Sequence, residues 1–93
     1  MDFEWDPAKG EANAAKHGIP FGQAATVFAD PLPVTAADPD HSADESRFIT
    51  VGASATGSLL IVAHTDRRDT VRLVSARRLT RRERNAYADA TPE

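Results

Sequence analysis

An α+β fold, with elements in the order β-α-α-β-β-β-α, is what this sequence predicts, and three observations predict it. A short alternating stretch at the N-terminus gives way at once to a proline-led helix start. The second half holds three alternating or apolar segments divided by turn residues, the pattern of an antiparallel sheet. A capping box near the C-terminus then opens a last helix. Ninety-three residues suit one domain, 1–93, with a modest core and no room for a large buried cavity. Chemistry is therefore expected on an open face.

Phe3-Glu4-Trp5 alternates apolar and polar, as a short strand does. Asp6-Pro7 reads as an N-cap followed by proline at the first helical position, where the missing N–H costs nothing. A helix is expected from Pro7 to His17, closed by Gly18 in the left-handed conformation and weakened by Gly10. Trp5, Ala8, Ala12, Ala15 and Ile19 make its thin apolar stripe. Pro20 opens a second short helix, in which Phe21, Ala24, Ala25 and Phe28 share one face until Asp30-Pro31 stops it. A short strand beginning at Val34 stays open, and Asp38 to Glu45 is a polar loop.

Beyond the loop the period changes. Arg47 to Val51 alternates, Gly52 to Gly57 holds turn residues, and Leu59 to Ala63 is an apolar run suited to a central strand. Asp66 to Asp69 is a polar turn and Val71 to Ala76 the last strand, which ends near Arg77. Thr80-Arg81-Arg82-Glu83 is the capping box: the Thr80 hydroxyl accepts from the Glu83 N–H, and the Glu83 carboxylate accepts from the Thr80 N–H. The final helix thus starts at Arg81, with Tyr87 one turn beyond Glu83.

Several classes of function fall away. The chain has no cysteine, so it is neither a disulfide scaffold nor a cysteine-type zinc site, and it fits a reducing compartment. Its acidic start is unlike a secretion signal, and its longest apolar run is far short of the roughly 20 residues that cross a bilayer. A cytoplasmic protein without membrane contact is expected.

Charge is unevenly spread. Residues 1–45 hold nine acids and two bases, whereas residues 46–93 hold nine arginines and five acids, within a net charge of −3. The basic half points to a polyanion or an acidic partner, unless the two halves neutralise each other in the fold. Six arginines (Arg72, Arg77, Arg78, Arg81, Arg82 and Arg84) lie between Arg72 and Tyr87. Arginine suits phosphate because its planar fork donates two parallel N–H bonds and keeps its charge near neutrality. No metal-ligand cluster is apparent and no cofactor is called for. Phosphodiester cleavage without a metal requires RNA, whose 2′-hydroxyl is its own nucleophile.

On a regular last strand Arg72, Val74, Ala76 and Arg78 share one face, and Val71, Leu73, Ser75 and Arg77 the other. Arg47 starts the first long strand and His64 ends the central one, so in a meander these two are expected to converge on one face. Arg77 and Arg78 occupy the strand-to-helix corner. Arg81, Arg82 and Arg84 are surface residues or contacts to a nucleic-acid backbone. His41 reads as a surface histidine in the acidic loop, and His17 as a cation at a helix C-terminus or a chemical group. Trp5 and Tyr87 are placed either to pack in the core or to stack on bases.

Three stretches resemble the BrnT family of toxins from bacterial type II toxin–antitoxin pairs: Phe3 to Pro31, Glu45 to Gly52 and Val71 to Tyr87 (VRLVSARRLTRRERNAY). Together they span nearly the whole chain. The resemblance implies a RelE-like ribonuclease fold, with an antiparallel sheet flanked by two N-terminal helices and a C-terminal one. It also implies an endoribonuclease that arrests translation. The implied partners are RNA, a BrnA-type antitoxin with a ribbon-helix-helix domain, and promoter DNA bound through the toxin–antitoxin complex. The landmark positions carried over are Lys16, His17, Arg47, Arg72, Arg77, Glu83 and Tyr87.

These readings combine into a metal-free mechanism. His17, Lys16 or Glu83 takes the 2′-hydroxyl proton, and Arg77, Arg72 and Arg47 hold the phosphate. His64 or Tyr87 protonates the leaving oxygen, and Arg78 and Arg81 contact the substrate. The alternative from another class is a non-catalytic module whose arginine-rich face captures an antitoxin or DNA. The first shortens RNA without added metal; the second leaves it intact.

Overall fold

Strand β1 (Asp2–Glu4) leads into helix α1 (Pro7–His17), whose two ends follow the capping signals of the sequence. The Asp6 carboxylate accepts the Ala8 N–H at 2.8 Å, Pro7 stands at the first position, and Gly18 closes the helix at φ 72°. This is a computed structural model, and it describes residues 1–38 and 46–90; His41 and most of the Asp38–Glu45 stretch lie outside the described residues. Gly10 gives room to the Trp5 indole, since a Cβ there would come within 3.2 Å of it. Trp5 in turn meets Phe21 edge to face, so it packs against the core while staying partly exposed.

Helix α2 (Phe21–Ala25) tightens into a 3-10 turn (Thr26–Ala29) before Asp30 ends it. Four further strands follow: β2 (Val34–Ala37), β3 (Arg47–Ala53), β4 (Leu59–Arg67) and β5 (Thr70–Arg78). Helix α3 (Arg81–Ala90) completes the chain. The sheet order is β1-β5-β4-β3-β2, antiparallel except that β1 runs parallel to β5. Two expectations are corrected here. The sheet is mixed rather than wholly antiparallel, because β1 docks on the free side of β5. Among the described residues it also has five strands, because Val34–Ala37 pairs along β3. His64 lies inside a longer β4 and does not end it.

One face of the sheet is covered. Ile19, Phe21, Ala24 and Val27 from the helical half bury against Leu60, Val62, Val71, Leu73 and Ala76 from the strands. Burial follows the period-two alternation along β4, with Leu60, Val62 and His64 inward and Ile61 and Ala63 half-exposed outward.

Strand β5 breaks that alternation. Ala63 pairs with Ser75 but His64 pairs with Leu73, so Val74 is an extra residue, a β-bulge. The equal-parity grouping of the arginines is thereby corrected. Val71 and Leu73 share the buried face with Ala76. Arg72 joins Ser75 and Arg77 on the uncovered one, because its ladder partner is Thr65.

Beyond Arg72, no strand among the described residues lines the outer side of β5, and α1 supplies the partner instead. The buried Asn13 amide donates to the Ala76 carbonyl at 2.8 Å and accepts the Ala76 N–H at 3.0 Å, imitating a neighbouring peptide. Its other N–H goes to the Ile19 carbonyl at 2.9 Å. Helix α3 is held differently. None of its residues from Arg81 to Asp89 is buried, and its anchors are polar.

Candidate active site

The uncovered sheet face carries a hollow of about 200 Å³ lined by Asp38, Arg47, Ile49, Ile61, Ala63, Ser75 and Arg77. The ladder places them together: Arg47 opposite Thr65, Ile49 opposite Ala63, and Ala63 opposite Ser75, with Arg77 opposite Ile61 on the next row. A hollow this size is below the roughly 300–1,000 Å³ of a small-molecule pocket, and suits a single phosphate-sized group. Its floor is aliphatic. Its rim is two arginines, a serine hydroxyl and one carboxylate, a donor set matched to an anion.

Arg77 enters this hollow already engaged. Its Nη1 and Nη2 donate to Glu83 Oε1 at 2.7 Å and Oε2 at 2.9 Å, a bidentate pair. Glu83 Oε1 also accepts the Thr80 N–H at 2.9 Å, and the Thr80 hydroxyl accepts the Glu83 N–H at 3.2 Å. The predicted capping box is therefore present and tied to the strand below it. These bonds, from Arg77 first and Thr80 second, pull the Glu83 carboxyl down to about 2 and push Arg77 above its already high value. A carboxylate that weakly basic is a poor proton acceptor near neutrality, and its two oxygens are engaged by Arg77 and Thr80.

Arg72 and Arg47 are less committed. Arg72 meets Glu4 of β1 only at 3.7 Å, beyond hydrogen-bond length. Arg47 makes no ion pair among the described residues and is half-buried at the start of β3. Both pair with Thr65, so the row across the sheet reads Arg47, Thr65, Arg72, Glu4.

The other predicted site residues are elsewhere. Lys16 and His17 stand at the end of α1, on the helix-covered side of the sheet. Arg78 approaches that end, its Nη1 lying 3.9 Å from where a Cβ of Gly18 would be. Arg81 is the exposed first residue of α3. Tyr87 donates its hydroxyl to the Leu32 carbonyl at 3.4 Å, fastening α3 to the segment before β2.

His64 does not converge with Arg47, because it pairs with Phe48 on the buried face and is 1 % exposed. Its Nδ1 is 2.8 Å from Asp66 Oδ1 and its Nε2 is 2.7 Å from Thr50 Oγ1, which lies 2.7 Å from Thr35 Oγ1. The rings of Phe28 and Phe48 enclose it. Asp66 accepts only, so Nδ1 carries the proton whenever the ring is neutral and Nε2 accepts from Thr50. This chain of bonds joins β2, β3 and β4.

Asp38, Ser75 and Thr65 belong to the hollow or its edge and were not singled out as site residues from the sequence. Asp38 reads there as loop polarity and Ser75 as strand filler; only the bulge and the pairing of β3 with β4 gather them. Among the described residues, no three histidine, cysteine, aspartate or glutamate side chains group as metal ligands. No helix among them is long and apolar enough to cross a membrane.

Known proteins agree with this architecture. A family model described as the ribonuclease toxin BrnT of type II toxin–antitoxin systems matches residues 5–83. The crystal structure of the Brucella abortus ribonuclease toxin BrnT superposes with a TM-score of 0.64 at 21 % identity. It covers 87 % of this chain and 99 % of that one, a likeness of fold. No curated protein sequence matches. Since the family model spans most of its length, the chain belongs to the BrnT family, the ribonuclease toxins of type II toxin–antitoxin systems, and an antitoxin partner is implied.

Proposed function

We propose that this chain, as one toxin domain over residues 1–93, is a metal-independent endoribonuclease of RelE-like type that cuts RNA through its own 2′-hydroxyl and so arrests translation. The observation that carries the reading is the arginine-rimmed hollow on the uncovered sheet face in a chain of a ribonuclease family. Arg47 and Arg72 hold the backbone phosphate and offset the charge that grows on it during attack. Arg77, steadied by Glu83, presents its cation at the far end of the hollow. Asp38 is the carboxylate at the hollow and takes the 2′-hydroxyl proton. The products are a 2′,3′-cyclic phosphate and a 5′-hydroxyl, whose proton comes from water in this open site. Lys16, His17 and Arg78, on the helix side, touch the flanking strand of a longer RNA.

A BrnA-like ribbon-helix-helix antitoxin that covers this face, and promoter DNA bound through that complex, complete the proposal. The protein works in the cytoplasm, where its substrate is.

The test is incubation of purified, antitoxin-free protein with end-labelled RNA in EDTA, beside Asp38→Asn and Arg47→Ala. Cyclic-phosphate fragments from the wild type, absent with both folded variants, are the expected result. Fragments only on addition of a divalent metal would overturn metal independence. Intact RNA with measurable binding would favour the capture module instead.

A further inference from the structure

Thr65 is 4 % exposed, and its Oγ1 has no hydrogen-bond partner among the described residues. Buried hydroxyls are almost always bonded, because an unmade bond in the interior forfeits the water that once satisfied the group. Thr50, the buried threonine of the neighbouring strand, shows the ordinary case, with partners on both sides. Packing accounts for a β-branched residue at position 65, since strands favour that shape. It does not account for the hydroxyl, which valine would omit at equal volume.

The surroundings supply a reason. Thr65 lies between Arg47 on β3 and Arg72 on β5, its direct ladder partners on the same face. Partners on adjacent strands stand about 5 Å apart, well within the reach of an arginine side chain. Among the described residues these two are the arginines of the site not held by a bidentate carboxylate, whereas both Nη atoms of Arg77 bond Glu83. Two arginines and a hydroxyl on one row of the ladder offer three donor groups to one anion. The two non-bridging oxygens of a phosphodiester share one negative charge and have lone pairs enough to accept from all of them.

We propose that the Thr65 hydroxyl, between Arg47 and Arg72, is a phosphate-binding group of the RNA site, donating to a non-bridging oxygen once both arginines turn outward onto the same phosphate. The inference rests on the ribonuclease reading above and sharpens it, because it centres the phosphate on the Thr65 row rather than on Arg77. On this reading the partner of the hydroxyl arrives with the ligand.

The experiment compares wild type, Thr65→Val and Thr65→Ser for binding of a fluorescent 2′-O-methyl oligoribonucleotide, which cannot be cut, with thermal melts alongside. The expected result is a Tm for Thr65→Val no lower than wild type, since no internal bond is lost. Its Kd rises about tenfold, the scale of one hydrogen bond to a charged group, and Thr65→Ser restores binding. Wild-type affinity in Thr65→Val would overturn the proposal. So would a Tm drop in Thr65→Val with Thr65→Ser unchanged, which would reveal an internal partner for the hydroxyl. A wild type that neither binds nor cuts RNA would remove the ribonuclease reading itself, and is told apart because all three proteins are then equally silent.

Discussion

Asn13 does for the outer side of β5 what a neighbouring strand does elsewhere, satisfying both the N–H and the carbonyl of Ala76. Replacing it with alanine leaves those two buried groups and the Ile19 carbonyl unpaired. At roughly 1–3 kcal/mol for a buried polar group left unmade, Asn13→Ala is expected to cost about 2–4 kcal/mol, measured by urea unfolding. That is a large share of the stability of so short a chain.

Glu83 gives the second prediction at this scale. Its carboxyl sits at about 2 in the fold against an ordinary 4.5, so it binds its proton less readily folded than unfolded. The stabilisation is complete above about pH 4.5 and is lost as pH falls toward 2. A series of Tm values through that window should therefore slope downward with acid, and Glu83→Gln should flatten the slope. Local chemistry made Glu83 legible as a cap, since Thr80 stands three residues before it. Its capture of Arg77 was not legible, because that depends on the corner between strand and helix.

Among elements, α1 and the start of α3 are written in the chain itself: Asp6, Pro7, Gly18, Thr80 and Glu83 each act on backbone within three or four residues of themselves. What joins one element to another left weaker marks. The parallel docking of β1 on β5 and the addition of β2 depend on which sheet edges are free. The bulge at Val74 is the costliest omission, because VRLVSARR alternates equally well with or without it, yet the bulge decides which arginines share a face. Deleting Val74 should restore unbroken alternation and leave Val71, Leu73 and Ala76 inward with Arg72, Ser75 and Arg77 on the open face. The expected outcome is retained RNA cleavage by a folded variant, read by the labelled-RNA assay and by thermal melting.

Over the whole molecule the charge asymmetry becomes a local grouping. Strands β3 and β5 bring Arg47, Arg72 and Arg77 to the uncovered face, where Glu83 is bonded to Arg77, Glu4 stands beside Arg72 and Asp38 lines the hollow. Cations and carboxylates nearly balance there, and Arg47 and Arg72 are the charges offered to a phosphate. Affinity for the uncleavable oligonucleotide should fall with salt, at a log–log slope of about −0.7 for each phosphate neutralised. The single phosphate held on the Thr65 row then corresponds to a slope of about −0.7, far shallower than that of a broadly basic nucleic-acid binder.

The measurement that bears most directly on the account is a map of amide shifts in the labelled protein on titration with the 2′-O-methyl oligonucleotide. The account predicts that the largest changes fall on Arg47, Ile49, Ala63, Thr65, Arg72 and Ser75, across the uncovered face of β3, β4 and β5. Changes centred instead on the end of α1, at Lys16 and His17, with the sheet face unmoved, would contradict it and place the RNA on the helical side.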